Sequence, residues 1–153
     1  MNHGDVEGLK YGIKRSPEWP KVEKEFLLSE PNCKVCGLSH PVQVHHILPY
    51  HYCVALGRRD LELNPKNLIT LCESEMGFPT EDHHLYIGHL GDFKSSNLNV
   101  LNDALRFQGM SKEFLTENAS WKAEEVSRLK SLDKMTDEDK TNFINLMSTL
   151  YPL

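Results

Sequence analysis

The sequence predicts an α+β fold: two short strands and a helical segment crowded with metal-ligating side chains, flanked by helices on both sides. Three observations predict it. Val42, Val44 and His46 alternate with Gln43, His45 and Ile47 at the two-residue period of a strand. A second short apolar segment runs from Asn67 to Cys72, and His83, His84, Leu85, Tyr86 and Ile87 follow Pro79-Thr80-Glu81-Asp82 as a helical stretch that Gly88 ends or kinks. Apolar residues then recur at helical spacing through the C-terminal third.

Taken in order, residues 1 to 15 read as a flexible, glycine- and charge-rich lead-in. Ser16-Pro17-Glu18 has the signature of a helix start, with Ser16 as cap and Pro17 at the first helical position. Trp19, Val22, Phe26 and Leu27 carry that helix to about Glu30, where Pro31-Asn32 ends it. Cys33-Lys34-Val35-Cys36-Gly37 has the shape of a zinc knuckle, in which Gly37 lets the backbone turn so that amides point at the thiolates. Residues 48 to 66 read as a loop with a weak turn at Gly57-Arg58-Arg59-Asp60. Beyond Gly91 three helices are expected, roughly 97 to 107, 120 to 132, and 136 to 150 with Thr136 as N-cap.

Composition bounds the function classes. At 153 residues, 39% apolar and 25% charged, the chain suits one soluble globular domain with a helical appendage. No eighteen-residue apolar run occurs, and the N-terminus lacks the apolar core of a secretory signal, so no membrane association and a cytoplasmic setting are the expectations. There, four cysteines point to metal rather than to disulfides. The net charge of -5 argues against a generic nucleic-acid binder. Charge is uneven, however: residues 1 to 60 hold eight Lys/Arg against seven Asp/Glu, whereas residues 61 to 100 hold two against six. Lys10, Lys14, Arg15, Lys21, Lys24 and Lys34 lie close in sequence and could form a phosphate-facing strip with Arg58 and Arg59 beside it; Lys14, Arg15, Lys21 and Lys34 are the candidates for substrate binding.

Two metal centres can be drawn from the ligand types. Zinc prefers four tetrahedral thiolate and imidazole ligands, and a C-x-x-C pair can hold one ion from a single turn. Cys33 and Cys36 supply such a pair, Cys72 a third thiolate, and the fourth ligand comes from His83, His40 or Cys53, with His83 favoured because it ties the knuckle, second strand and helix together. His45, His46, His84 and His89 form the second cluster. Strand neighbours point apart, so one of His45 and His46 can bind an ion with the following helix while the other faces substrate. An imidazole outside the ion's ligand set is suited to deprotonate water.

The order Cys33-x-x-Cys36, Val44-His45-His46-Ile47-x-Pro49, Asn67-Leu68-Ile69-x-Leu71-Cys72 and His83-His84-x4-His89 resembles the HNH endonuclease family with its ββα-metal, or His-Me finger, core. The similarity spans about residues 16 to 105, and the run Gly88 to Asn97 resembles a subgroup common in phage and bacteria. The resemblance implies a nuclease domain over 16 to 105 and a helical extension over 106 to 153. It implies hydrolysis of phosphodiester bonds in DNA, by nicking or double-strand cleavage, leaving 5'-phosphate ends. His45 would be a metal ligand and His46 the general base; Asn67 would brace the loop between the strands and hold the base. His84 and His89 would be the remaining ligands.

Here a histidine, His83, stands where many relatives have a fourth cysteine. Ligands on one α-helical face lie three or four residues apart, whereas His84 and His89 are five apart. The helix must therefore end or kink at Gly88; otherwise His89 contacts the phosphate and His51 or water completes the shell. The cofactors implied are a structural Zn²⁺ and a catalytic Zn²⁺, Ni²⁺, Mn²⁺ or Mg²⁺. The partners implied are DNA, with RNA or junctions as alternatives, a second copy of the chain, and phage packaging proteins by analogy. The competing expectation is a zinc-stabilised binding module for nucleic acid or protein that lacks catalysis.

Overall fold

A computed structural model describes residues 15–93, 96–118, 120–122, 136–139, 141–142 and 145. Helix α1 (Trp19–Ser29) leads into strand β1 (Val42–His46), helix α2 (Tyr50–Ala55), two 3₁₀ turns (Arg59–Glu62 and Pro65–Asn67) and strand β2 (Leu68–Cys72). A π-helical turn (His84–Gly88), helix α3 (Val100–Arg106) and helix α4 (Lys112–Glu117) follow. Among the described residues the architecture is thus α+β, mixed helix around one small two-stranded sheet. No helix among the described residues is long and apolar enough to cross a membrane.

The strands pair antiparallel, with Val44 opposite Thr70, His45 opposite Ile69 and His46 opposite Leu68. Side chains alternate between faces, and directly opposed residues share a face. One face therefore carries Val44, His46 and Leu68, and against it α1 lays Trp19, Val22, Phe26 and Leu27. The other carries His45, Ile69 and Leu71. Ile69 and Leu71 belong to the larger core, with Ile87 of the π turn, Val100 and Ala104 of α3, Leu115 of α4 and Trp121. Glu73 N–H donates to the Pro41 carbonyl at 3.1 Å, extending the ladder one residue. Glu73 thereby emerges on the same face as Leu71 and His45.

Several sequence expectations are corrected. α1 begins at Trp19 rather than at Pro17: Glu18 is the N-cap, Pro20 occupies the first turn, and the Ser16 hydroxyl accepts from Glu18 N–H at 3.1 Å. Pro20 has no N–H to donate, which costs nothing in the first turn of a helix that starts at Trp19 but would forfeit a ladder bond as the fourth residue of one that starts at Pro17. The expected loop of 48 to 66 contains α2 and both 3₁₀ turns, which bury Cys53, Leu61 and Glu62. The helix expected at 97 to 107 is shorter, Val100–Arg106, because Asn97 to Asn99 form an Asx turn: the Asn97 side-chain oxygen accepts from Asn99 N–H at 2.9 Å. Helix α4 falls where no helix was expected, capped by Ser111, whose hydroxyl accepts from Phe114 N–H at 3.1 Å. At Thr136 the hydroxyl accepts from Asp139 N–H while the Asp139 carboxylate accepts from Thr136 N–H, both at 3.1 Å. That is a reciprocal helix-start cap. Residues 1 to 14 and most of 123 to 153, which include the expected lead-in and the bodies of both C-terminal helices, lie outside the described residues.

Candidate metal centres

Cys33, Cys36, Cys72 and His83 converge, with their ligand atoms all within 4.8 Å of one another. Gly37, at φ 78°, closes the knuckle so that its N–H donates to the Cys33 carbonyl at 2.8 Å. Cys72 comes from the end of β2, and His83 from the residue before the π turn. Tetrahedral zinc requires two sulfurs about 3.8 Å apart and a sulfur and imidazole nitrogen about 3.6 Å apart, given its bond lengths. The separations are 3.8 Å from Cys36 Sγ to Cys72 Sγ, and 3.7 and 3.4 Å from His83 Nδ1 to Cys33 and Cys72 Sγ. His83 Nε2–H donates to the Met110 carbonyl at 2.7 Å, so in the neutral ring Nδ1 is the lone-pair nitrogen facing the sulfurs.

Electrostatics distinguish the three thiols. Hydrogen bonding from Cys72 and His83 outweighs burial and lowers the Cys33 pKa to about 3, making it the thiolate. The neighbouring Cys33 sulfur and burial push Cys72 far up, and burial raises Cys36. Zinc ligation requires deprotonated thiols, so uptake of an ion here would release protons. His83 is itself drawn upward: burial opposes its charge, but the Cys33 sulfur and the Met110 carbonyl prevail. The group can hold zinc. Cys53 stands apart as a neutral thiol, donating to the Leu48 carbonyl at 3.4 Å, its pKa raised by burial to about 12. His40 packs edge-on against Phe78.

The second group is His45, His84 and His89, each nearly buried, again with ligand atoms within 4.8 Å. The five-residue gap is bridged by the π turn, whose backbone closes over one more residue than an α-helix and so returns a later residue to the same side. His84 Nε2 and His89 Nε2 stand 3.2 Å apart, close to the roughly 3.3 Å that two imidazoles on one tetrahedral ion require. His45 Nε2 is buried with no hydrogen-bond partner among the described residues. An orphaned buried nitrogen costs about 1–3 kcal/mol, a cost that an ion at this point removes. Burial, then the neighbouring His89, His84 and His46 rings, hold the His45 pKa well below its ordinary value, so its lone pair is unprotonated. Gly88 makes room for this ring: a Cβ there would lie 3.3 Å from His45 Cε1 and 3.2 Å from Leu71 Cδ1. Phe93 covers the cluster, its centroid 5.0 Å from that of His89. The side chain of His51 lies outside the described residues.

His46 points the other way, onto Trp19, with ring centroids 4.5 Å apart. Its Nε2–H donates to the Glu62 carbonyl at 2.9 Å, so in the neutral ring Nδ1 carries the lone pair. Burial, with the Arg15 charge, pushes its pKa down to about 3. The ring is thus neutral at physiological pH, the form able to accept a proton. The Glu62 carboxylate accepts from Ser16 N–H at 3.0 Å, which anchors the chain preceding α1 beside His46.

Asn67 is buried in the centre of the α2 loop. Its Oδ1 accepts from Leu48 N–H at 2.8 Å, and its Nδ2 donates to the Leu48 and Leu61 carbonyls at 3.1 and 3.0 Å. These bonds hold the first residues after β1 against the turn that presents the Glu62 carbonyl to His46.

Lys14 lies outside the described residues, Lys21 and Lys34 are exposed, and the Arg15 guanidinium lies over Trp19 and Tyr50 at 4.8 and 5.2 Å. Sequence reasoning missed Glu73, Glu62, Phe93 and the clearance role of Gly88. Only Glu73 had a readable signal: strand alternation carried one residue past Cys72 places it on the His45 face.

Searches for a matching family model, a curated relative and a similar solved structure each found none.

Proposed function

We propose that this chain is a metal-dependent endonuclease of the HNH type, its ββα-metal core formed by β1, β2 and the π turn, acting on phosphodiester bonds in DNA. The observation that carries this reading is the division of labour between adjacent histidines. His45 joins His84 and His89 on one face of β1, while His46, on the other face, has its tautomer set by a backbone carbonyl. A purely structural zinc module has no need of the second, all-imidazole group, nor of a base-form histidine beside it.

The three imidazoles fit a borderline divalent ion, which when bound supplies stabilisation of charge on the phosphate and on the departing oxygen. His46 Nδ1 takes the proton from a water molecule as its oxygen forms the new bond to phosphorus and the bond from phosphorus to the 3'-oxygen breaks. Glu62, through its carbonyl, stabilises the imidazolium that results, and Trp19 fixes the plane of the ring. An anionic phosphate beside His46 draws its basicity back toward neutrality, the range in which proton transfer is most effective.

The test is supercoiled plasmid incubated with wild type and His46→Ala in Mn²⁺, Mg²⁺ or Ni²⁺. Wild type is expected to nick or linearise the plasmid with at least one ion, and the substitution to slow this by roughly 10²- to 10⁴-fold. No conversion with any ion sinks the enzyme reading in favour of a zinc-stabilised binding module. Equal cutting by His46→Ala removes the base assignment.

A further inference from the structure

Resting on the reading of His45, His84 and His89 as one ion centre, we infer that Glu73 is the residue that positions His84 for it. The two side chains meet directly: His84 Nδ1 lies 3.0 Å from Glu73 Oε1. A carboxylate only accepts, so the ring proton sits on Nδ1 and the lone pair on Nε2. Nε2 is the atom that faces His89 Nε2 at 3.2 Å. The opposite tautomer would leave the carboxylate facing a bare nitrogen and aim an N–H into the space where the ion belongs. The carboxylate also makes the imidazole a better donor and fixes its plane, as partners of metal-bound histidines do.

The backbone makes this contact a consequence of the fold. Glu73 follows Cys72 on the extended β2, so the two side chains leave on opposite faces. His83 and His84 divide in the same manner, His83 to Cys33 and Cys72, His84 to Glu73. The Glu73 side chain is about one quarter exposed, with relative exposures of 10% for His84 and 24% for Glu73. The bond is therefore sheltered without the carboxylate being stripped of water.

The experiment uses the full chain loaded with zinc at the thiolate centre, in wild type, Glu73→Ala and Glu73→Gln forms. Long-range ¹H–¹⁵N correlation spectra read the His84 tautomer before any second ion is added, and calorimetric titration with Ni²⁺ reads affinity. Wild type is expected to hold His84 as the Nδ1–H tautomer. Glu73→Ala is expected to shift the ring toward Nε2–H and weaken Ni²⁺ binding roughly 10- to 100-fold. Glu73→Gln keeps an accepting oxygen, so it is expected to restore the tautomer and most of the affinity. An Nε2–H tautomer in wild type overturns the inference without any variant, as does a Glu73→Ala protein with unchanged tautomer and affinity. If wild type binds no second ion yet shows the Nδ1–H tautomer that Glu73→Ala loses, the ion-centre reading falls while the role of Glu73 in orienting His84 stands.

Discussion

The thiolate group and the histidine group lie against each other and draw on adjacent residues, Cys72 beside Glu73 and His83 beside His84, yet they are built on different principles. In the first, a two-residue spacing inside one tight turn places Cys33 and Cys36, and the long-range additions Cys72 and His83 complete four ligands at zinc-like separations. In the second, every ligand depends on tertiary contacts: His45 on the clearance over Gly88, His84 on Glu73, His89 on the π turn. The first group offers four ligands, the number that structural zinc sites use, whereas the second offers three imidazoles. Because the two groups share the dipeptides Cys72-Glu73 and His83-His84, loss of the first is expected to disturb the second.

The largest expected effect tests that dependence. Structural zinc supplies roughly 10–16 kcal/mol in small zinc-folded peptides, so Cys72→Ala is expected to lose zinc, lower the thermal midpoint more than any other single substitution, and abolish Ni²⁺ binding at the histidines. Metal analysis with calorimetry checks this. A variant that loses zinc but keeps full Ni²⁺ affinity breaks the proposed hierarchy.

An intermediate effect separates the two centres. Gly88→Ala puts a Cβ against Leu71 and His45, and crowding of this kind costs about 1–3 kcal/mol. Weaker Ni²⁺ binding is expected with zinc content unchanged, read by titration and by mass spectrometry of the native protein. Equal losses at both centres would mean that they respond as one unit.

The smallest effect is a contrast among thiols. Cys53 has its pKa raised by burial to about 12 and is fully buried, so it stays protonated and shielded. After chelation of zinc, iodoacetamide at mildly alkaline pH is expected to modify the exposed Cys36 while the buried Cys53 stays unmodified until denaturant is added. Rapid labelling of Cys53 in the folded protein contradicts its placement in the core.

Much of this was legible in the sequence because it rests on short-range rules. C-x-x-C with a following glycine encodes a knuckle locally, and alternation in Val42 to His46 separates His45 from His46 whatever packs on either side. The two strands were legible for the same reason, within a residue at each end. The segment from 48 to 66 was not. Its helix and 3₁₀ turns are short, and they are held by Asn67, Glu62 and the core rather than by helix propensity. Helix α4 escaped for a similar reason, since its six residues are secured by the Ser111 cap and the burial of Leu115.

The sequence by itself determined which side chains were on offer and which way neighbours on a strand must point, because backbone alternation is a property of the chain. Only the tertiary structure decided which groups meet: that His83 rather than His40 or Cys53 joins the thiolates, that a π turn brings His89 back to His84, and that Glu73 reaches His84 at all. Those contacts join residues 5 to 50 positions apart, and no local rule sets such distances; packing around the small sheet does.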